Sequence, residues 1–385
     1  MKKIKFLTAG ESHGKGLLGI LQGIPSNLLI SEEYVNLELK RRQKGFGRGG
    51  RMKIEKDAVE FYSGIRYGKT IGSPIGLIIQ NLDAKNWVDV MSINGSVNQV
   101  DPITLPRPGH ADLPGIMKYD FDDIRNVLER SSARETTMRV AIGSICKKML
   151  EDCNINIGSY VKSIFNITDQ TDYTKKYSPI EINSIADNSS LRVLDSDKEN
   201  EMINAIKTAQ KNGDSVGGEF QIIITGVPYG LGSYIQWNEK LNASLGRALL
   251  SINAIKSVDF GLGSNSSSLL GSQLHDEIEY KKGKFVRTKN NAGGIEGGMS
   301  NAETIIITAT MKPLSTLVKP LKSVDIITHK NKLAHKERTD SCAVPAASII
   351  AESMVAITIA DELLNKFGGD SMQELKDHLK ISAKY

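Results

Sequence analysis

The alternation of apolar and polar positions predicts strands in three places. Residues 74–80 form a short apolar run, and residues 219–227 and 303–311 are rich in Ile and Thr. In parts of the two later runs, apolar and polar side chains alternate with a period of two, which is typical of a half-buried strand.

Three other segments repeat apolar residues at helical spacing. They are residues 122–150, residues 238–250 and residues 345–367. The last of these begins at Pro345, which suits a first helical turn, and it stops at the Gly368-Gly369 pair. The pattern therefore predicts a long helix near the end of the sequence.

The predicted strands and helices do not alternate strictly along the chain. This order argues against a doubly wound parallel sheet and predicts an α+β fold. The sequence has no internal repeat and no long low-complexity linker, so we expect a single domain over residues 1–385. Residues 165–212 are polar, and we expect them to form a loosely defined surface excursion or a smaller subdomain.

Composition narrows the class of protein. The 385 residues are 40% hydrophobic and 24% charged, as in ordinary globular proteins. The cysteines Cys146, Cys153 and Cys342 form no C-x-x-C pair, so we expect reduced thiols rather than disulfides or a zinc site. The apolar stretch 346–364 is broken by acidic residues, which argues against a membrane span. We expect a cytoplasmic protein without a bound metal, because no metal-binding motif is present.

The net charge of +5 is spread unevenly, because residues 40–56 combine many cations with glycines. Glycine lets the backbone approach a ligand closely, and arginine presents a planar fork to phosphate or carboxylate. This pattern favours a loop that binds a small phosphorylated or polycarboxylate molecule. A solvated basic face and a nucleic-acid-binding patch are the alternatives. The cations are Lys40, Arg41, Arg42, Lys44, Arg48, Arg51, Lys53 and Lys56.

Two short motifs display histidines in segments where the chain must turn. Residues 10–14, GESHG, follow a short apolar segment and indicate a strand that ends in a tight loop around His13. In residues 106–114, prolines and a glycine predict a rigid loop that displays Arg107, His110 and Asp112. Histidine exchanges protons near neutral pH. Taken alone, an ordinary turn explains the first motif better and the second motif equally well.

Three more segments carry clustered polar or small residues. Residues 130–137, RSSARETT, interrupt the helical spacing and indicate a helix start or kink that meets an anion, or else a polar helix face. The glycine-rich residues 290–301 lack dinucleotide-binding spacing, so tight turns are favoured over a wall against a flat cofactor. Residues 336–341 place an acid beside an arginine, as a positioned base or as a helix cap with an ion pair.

In their joint order, these motifs closely resemble the successive blocks of the chorismate synthase family. The resemblance extends from residue 10 to residue 370 and weakens between about 165 and 212. The matching blocks are GESHG, RRQKGFGRGGRMKIEKD, SGIRYGKTIGSPIGL, PRPGHADL, LERSSARETTMRV, AGGIEGGMSN, KPLST and RTDSCAVPAA.

The resemblance implies a phosphate lyase of the shikimate pathway to the aromatic amino acids. Family members form chorismate from 5-enolpyruvylshikimate 3-phosphate by an anti 1,4-elimination, and they need reduced FMN although the reaction has no net redox change. The implied fold places helices between antiparallel sheets in a single large domain. The implied assembly is a homotetramer.

The resemblance also implies roles for individual residues. His13 matches the histidine that protonates the leaving phosphate, and His110 matches the one that protonates reduced flavin and steadies its anionic form. Ser12 and Asp340 match a pair that relays the proton of the substrate ring through the flavin. The matching anion ligands are Arg42, Arg48, Arg107, Arg134 and Arg338.

The flavin contacts implied by the resemblance come from several blocks. NADPH, whose family position matches Arg42 and Arg48, is implied only indirectly, for flavin reduction. The insertions of fungal members with their own flavin reductase activity are not seen, so we expect the monofunctional type supplied by an external flavin reductase. The FMN contacts map to Arg130, Ser131, Ser132, Asn253, Ala254, Gly297, Lys312, Pro313, Leu314, Ser315, Thr316 and Arg338.

Two rival functions make different predictions. A nucleic-acid-binding protein would use residues 40–56, bind with a steep salt dependence and leave both motif histidines without a role. An ordinary flavin oxidoreductase would consume NADPH with each turnover, whereas an elimination leaves the flavin unchanged at the end. We expect neither nucleic acid nor a membrane as a partner.

Overall fold

The first sheet comes from the N-terminal part of the chain, in a computed structural model that describes residues 3–49, 54–95, 100–337 and 339–383. The sheet is antiparallel, with the strand order β1-β2-β6-β3, and a small hairpin of β4 and β5 precedes its β6 strand. The four strands of the sheet are β1 (Lys5–Ala9), β2 (Gly16–Gln22), β3 (Val59–Ser63) and β6 (Ile75–Gln80). The hairpin is formed by β4 (Ile65–Arg66) and β5 (Lys69–Thr70).

The second sheet is built from the middle of the chain and has the order β10-β15-β9-β7-β8, with antiparallel neighbours. Its strands are β7 (Asn156–Ile164), β8 (Ile167–Thr168), β9 (Gly218–Thr225), β10 (Ile255–Phe260) and β15 (Ile305–Met311). Separate hairpins are formed by β11 (Ile278–Lys281) with β12 (Lys284–Arg287), β13 (Ile295–Glu296) with β14 (Met299–Ser300), and β16 (Lys322–Val324) with β17 (Asn331–Leu333).

Some of the helices lie between the two sheets, and others pack in separate smaller apolar clusters. The helices are α1 (Glu32–Gln43), α2 (Asp112–Tyr119), α3 (Arg125–Ser131), α4 (Thr136–Glu151), α5 (Pro179–Ala186), α6 (Ser196–Lys211), α7 (Leu241–Leu250), α8 (Gly271–Leu274), α9 (Val344–Phe367) and α10 (Met372–Ser382). Helix α4 packs against β1 and β2, and α9 packs against α1, α4, α7, β7 and β9. The apolar faces of both sheets and of these helices share one hydrophobic core. The predicted α+β fold with helices between antiparallel sheets is confirmed.

Helix α9 is the centre of this layer. It is long and apolar enough to cross a membrane, but 94% of its most apolar 18-residue stretch is buried inside the protein. Burial of apolar side chains on all sides explains why its sequence is hydrophobic throughout. It is therefore a core helix, as its acidic residues Glu352 and Asp361, both buried and hydrogen-bonded, also indicate.

The three predicted strands correspond to β6, β9 and β15, and the predicted C-terminal helix corresponds to α9. The helix predicted over residues 122–150 is broken in the structure. Helix α3 ends at Ser131, and extended Ser132 accepts a hydrogen bond from the backbone N–H of Arg134 before α4 begins. The kink expected at residues 130–137 is thus present, because Ser132 caps a new helical turn. Within residues 165–212, α6 contributes Met202 and Ile206 to the main core.

Candidate active site

Loops from distant parts of the chain line a cavity of about 410 Å³. The β1–β2 loop, the end of α1, the loop before α2, the α3–α4 kink, the turn before β10 and the segment before α9 all contribute. Most of the predicted site residues meet there. They are Ser12, His13, Arg42, Arg48, Arg107, His110, Ser131, Ser132, Arg134, Asn253, Ala254, Lys312, Leu314, Ser315, Thr316 and Asp340.

The remaining predicted residues lie elsewhere or cannot be described. Arg130 borders a neighbouring cavity of about 430 Å³ and donates hydrogen bonds to the carbonyl oxygens of Gly10 and Thr8. Gly297 forms the turn between β13 and β14, where its φ of 60° suits a glycine. Pro313 is not part of the lining, and Arg338 lies outside the described residues, as do residues 50–53 of the basic segment. The FMN contacts of Arg130, Gly297, Pro313 and Arg338 stay predictions.

His13 is held in place from two sides. The loop before it turns at Gly10, whose φ is 107° and where a Cβ would lie 2.3 Å from the carbonyl oxygen of Gly16. The Nδ1 atom of His13 lies 2.9 Å from Oε1 of Glu129, and the backbone N–H of His13 donates to Oε2 of Glu129 at 2.8 Å. The ring stacks on Trp87 with its centroid 3.9 Å away. The imidazole is therefore fixed at the cavity wall.

His110 has a similar arrangement in the loop before α2. Its Nδ1 atom lies 2.6 Å from Oδ1 of Asp112, which is fully buried. Arg107 donates to Asp112 through its backbone N–H and its Nε and Nη2 atoms. Burial alone would raise the pKa of Asp112, but the hydrogen bonds and charges of His110 and Arg107 hold it well below its ordinary value. Asp112 is therefore an anion beside the histidine. The predicted loop in fact ends at residue 111, because Asp112 begins α2.

Arg42 lies in the last turn of α1 and is only 3% exposed. Its Nη2 atom donates to the carbonyl oxygen of Ala133 at 2.8 Å and to the hydroxyl of Thr136 at 2.9 Å. Its Nη1 atom donates to no acceptor among the described residues and lies 3.7 Å from Oδ2 of Asp57. Burial lowers the pKa of Arg42 to about 10, and Asp57 only partly offsets this. The cavity thus contains a buried cation with an unused donor.

Arg48 and Asp340 lie near Arg42 in the same cation-rich lining. An Nη1 atom of Arg48 lies 3.1 Å from Oδ2 of Asp340, and the backbone N–H of Gly49 donates to Oδ1 at 2.6 Å. A Cβ at Gly49 would lie 2.8 Å from the carbonyl oxygen of Thr339, so the two loops approach closely only because residue 49 is a glycine. The predicted acid of residues 336–341 is therefore an ion-pair partner of the basic segment.

Arg134 reaches the cavity, but protein acceptors already engage its guanidinium. Its Nε atom donates to Asn81 at 2.9 Å, and its Nη1 atom forms an ion pair with Asp57. Its Nη2 atom lies 3.6 Å from Glu55. Arg134 therefore has less capacity for a ligand than Arg42. The alternative of a solvated basic face is wrong for Arg41 and Arg42, which are both buried.

Another part of the cavity lining carries a lysine, hydroxyls and an amide. Lys312 donates to the carbonyl oxygen of Gly109 at 2.6 Å and to the hydroxyl of Ser315 at 3.0 Å. Burial and the nearby charge of Lys256 lower the pKa of Lys312. The Nδ2 atom of Asn253 donates to the carbonyl oxygen of Ser131, while its buried Oδ1 atom accepts nothing from the described residues. This part of the lining therefore offers both a free acceptor and a cation.

The sequence analysis did not identify several residues of the site. Glu337 and Thr339 border the cavity, and Glu129 and Trp87 hold His13. Glu129 lies in the LERSSARETT block and Glu337 lies next to the RTD block, so the sequence motifs could have identified both residues. Trp87 had no such signal, because it lies in an irregular segment that follows β6.

Comparison with known proteins gives a consistent result. The model of the chorismate synthase family matches residues 4–364. Chorismate synthase of Aquifex aeolicus is 49% identical over 383 residues, which cover 98% of this chain and 96% of the relative. Chorismate synthase of Alkaliphilus metalliredigens is 53% identical over 374 residues, with 97% of each chain covered. A crystal structure of chorismate synthase is similar over 100% of this chain and 98% of the other, with a TM-score of 0.80 and 39% identity.

Proposed function

The chain belongs to the chorismate synthase family, and we propose that the 410 Å³ cavity is where it carries out the family's reaction. The reaction is the elimination of phosphate from 5-enolpyruvylshikimate 3-phosphate to give chorismate. The chain is thus a lyase of the shikimate pathway and serves the synthesis of aromatic amino acids.

The unused donor of Arg42 is the observation that carries the choice of this cavity. This donor lies 3.7 Å from Asp57, too far for a hydrogen bond, and a buried donor without a hydrogen bond costs about 1–3 kcal/mol. The site is therefore suited to an acceptor that a ligand brings. The substrate carries a phosphate and two carboxylates. In the described lining, the cations Arg42, Arg48, Arg107, Arg134 and Lys312 outnumber the carboxylates Glu337 and Asp340. Arg42 and Arg48 are the proposed direct ligands, with Arg107 and Arg134 completing the positive lining. A role for Arg338 as an anion ligand stays a prediction from the family resemblance.

His13 is the proposed donor of the proton that the leaving phosphate takes up. Its Nδ1 atom faces Glu129, and Nε2 is the ring nitrogen that we propose acts on the ligand. A positioned acid of this kind contributes about 10²- to 10⁴-fold to a reaction rate. The cations around it stabilise the charge that develops on phosphate as the bond breaks. Ser12 and Asp340 are the proposed groups that move the proton lost from the substrate ring.

The part of the lining that carries Lys312 and Asn253 suits the reduced flavin that the family uses. The free Oδ1 atom of Asn253 suits an N–H donor of a ligand, and Lys312, Ser315 and Thr316 suit its anionic or polar groups. Reduced FMN, when bound, supplies electron density that helps the phosphate to leave. His110, which Asp112 holds at 2.6 Å, is the proposed proton donor to the flavin. Ser131, Ser132, Ala254 and Leu314 complete the proposed contacts.

We expect the chain to be monofunctional and to receive reduced FMN from a separate flavin reductase, with NADPH used only there. This proposal rests on the absence from the sequence of the insertions found in bifunctional members. A cytoplasmic location is part of the same proposal, because the chain would have to share a compartment with that reductase.

An assembly of several copies is supported by the outer face of the first sheet. Alternate side chains of β2 point away from the core, and Leu18 and Ile20 are more than half exposed. Leu7 of β1 and Tyr62 of β3 extend the same apolar face, at 70% and 75% exposure. An apolar sheet face of this kind marks a protein–protein contact more often than free surface. A homotetramer is the assembly we propose.

Replacing His13 tests the proposed site. His13→Gln should lower kcat by about 100-fold or more while KM changes little, because the lost group acts on the leaving phosphate. His275→Gln is a matched control, since His275 is exposed and does not line the cavity. Activity of His13→Gln equal to that of the control would contradict the proposed role of His13.

A further inference from the structure

Glu129 contacts both the backbone and the ring of His13. It is 3% exposed, and its carboxylate oxygens lie 2.9 and 3.1 Å from Nδ1 of His13 while also accepting the backbone N–H of His13. The backbone carbonyl of Glu129 accepts the N–H of Ser12. One residue of α3 therefore fixes both the loop that carries His13 and the orientation of its ring.

We infer that Glu129 is a positioning residue that keeps a proton on Nδ1 of His13 and sets a negative charge against the ring, so that Nε2 acts as the acid. The inference rests on the proposed role of His13 as the proton donor. An acid needs its proton before the phosphate leaves, and a carboxylate in contact with the ring stabilises the protonated form. After the transfer, His13 is neutral with its remaining proton still on Nδ1, and Glu129 stays ionised.

The surroundings keep Glu129 ionised. Burial works to raise its pKa, but hydrogen bonds and charge from His13, together with Arg125, outweigh burial and lower the pKa below its ordinary value. Arg125 donates to Oε1 of Glu129 at 3.3 Å. A carboxylate with these partners stays charged through the neutral range. It is therefore available as a fixed negative charge against the ring.

Other charged groups near His13 are less well placed to control it. Arg125 is a cation that pairs with Glu129 itself. Glu337 lies 3.3 Å from Arg125 and 3.2 Å from His335, and it acts on His13 only through its charge. Asp83 contacts the indole N–H of Trp87, on which the His13 ring stacks. Among the described residues, Glu129 is the carboxylate shown in direct contact with the ring.

The second cavity histidine repeats the arrangement. His110 also has a buried carboxylate, Asp112, on its Nδ1 atom. Asp112 additionally binds three donors of Arg107, so it has partners independent of its histidine. Most of the contacts of Glu129 go to His13 itself, which makes Glu129 the more informative residue to change.

The first test is the pH dependence of kcat with reduced FMN for Glu129→Gln. The amide keeps the size of the side chain but not its charge. We expect kcat to fall by about 10- to 100-fold with KM nearly unchanged. The alkaline limb of the profile should move to lower pH by about one unit, because the protonated ring loses its counter-charge. Glu337→Gln is the matched control, and its limb should move by less than half as much. A wild-type profile for Glu129→Gln would overturn the inference.

The second test combines the variants. If Glu129 acts through His13, Glu129→Gln should cost little further activity in a His13→Gln background. An equal cost in both backgrounds would show a merely structural role and overturn the inference. Glu129→Asp keeps the charge, so it should keep the alkaline limb in place even if kcat falls, and a displaced limb would count against the inference. Full activity of His13→Gln alone would refute the proposed donor itself. Loss in His13→Gln with none in Glu129→Gln would refute only the role of Glu129.

Discussion

At the scale of single residues, the unused donor of Arg42 predicts a binding defect. Arg42→Met should raise KM for 5-enolpyruvylshikimate 3-phosphate by about 10- to 100-fold, because a hydrogen bond to a charged group contributes about 1.5–3 kcal/mol. Steady-state kinetics with saturating reduced FMN measures this change. Lys40→Met is the control, since Lys40 lies near the same end of α1 but is exposed. An unchanged KM would exclude Arg42 as a substrate ligand.

The sequence predicted many lining residues but not their arrangement. His13, Arg42 and Asp340 are far apart along the chain, and hydrophobic periodicity carries no information on such contacts. Their convergence was predicted only by the family resemblance. The partners that hold them, such as Glu129 and Trp87, went unnoticed because a carboxylate or an indole has no distinctive pattern of its own.

At the scale of elements, a buried ionic cluster joins the central helices. Glu352 of α9 is fully buried and accepts hydrogen bonds from Arg41 of α1 at 3.0 Å and Lys147 of α4 at 2.8 Å. It also accepts from Arg192 at 3.3 Å and from the hydroxyl of Ser159 at 2.6 Å. The cluster fixes the end of α1, where Arg41 and the cavity residue Arg42 are neighbours.

Removing the charge of Glu352 should therefore destabilise the fold. Glu352→Gln leaves Arg41, Lys147 and Arg192 with too little negative charge, and breaking a buried ion pair in this way costs about 3–5 kcal/mol. Unfolding in urea measures the loss. Glu201→Gln, which alters an exposed ion pair with Lys198, should change the free energy of unfolding by less than about 1 kcal/mol. Equal stability of the two variants would contradict this account of the cluster.

The same cluster predicts sensitivity to acid. Burial opposes ionisation of Glu352, but Arg41, Lys147 and Arg192 hold its pKa far below the ordinary value of 4.5. A lowered pKa contributes stability above the ordinary value, and that stability is lost as pH falls toward the folded-state value. The free energy of unfolding should therefore decrease below about pH 4.5. Glu352→Gln should show a shallower decrease, and an equal slope in both proteins would argue against Glu352 as a source of acid sensitivity.

Elements with simple periodicity were predictable, and those with buried charge were not. The strands β6, β9 and β15 and the helix α9 follow directly from apolar runs. Helix α1 ends in a run of cations that would be solvated on an isolated helix. Arg41 in that run is buried against counter-charges on α9 and in the loop around Asp187, and a local sequence pattern does not include these partners.

At the scale of the whole molecule, the apolar outer face of the first sheet predicts assembly. A chain carrying both Leu18→Glu and Ile20→Lys should dissociate into smaller species, because charges would then be buried in the contact. Light scattering coupled to gel filtration measures the molar mass. Ile381→Lys, at an exposed apolar position on α10, should leave the mass unchanged. A double variant with the same mass as the parent would show that this face is not the contact.

The fold class was predictable at this scale, whereas the sheet order was not. The lack of strict alternation between strands and helices correctly indicated an α+β architecture. The order β10-β15-β9-β7-β8 brings together strands far apart in sequence. Such pairings depend on how the two sheets and the central helices pack, which no single segment encodes.

The central claim is that the chain eliminates phosphate from 5-enolpyruvylshikimate 3-phosphate with the help of reduced FMN. The direct test mixes the protein with this substrate and dithionite-reduced FMN without oxygen, and measures chorismate and phosphate together. Oxidised FMN, and NADPH with FMN but no dithionite, are the controls. We predict equal amounts of both products with reduced FMN and none in either control. No product from a folded protein that binds FMN would contradict the claim.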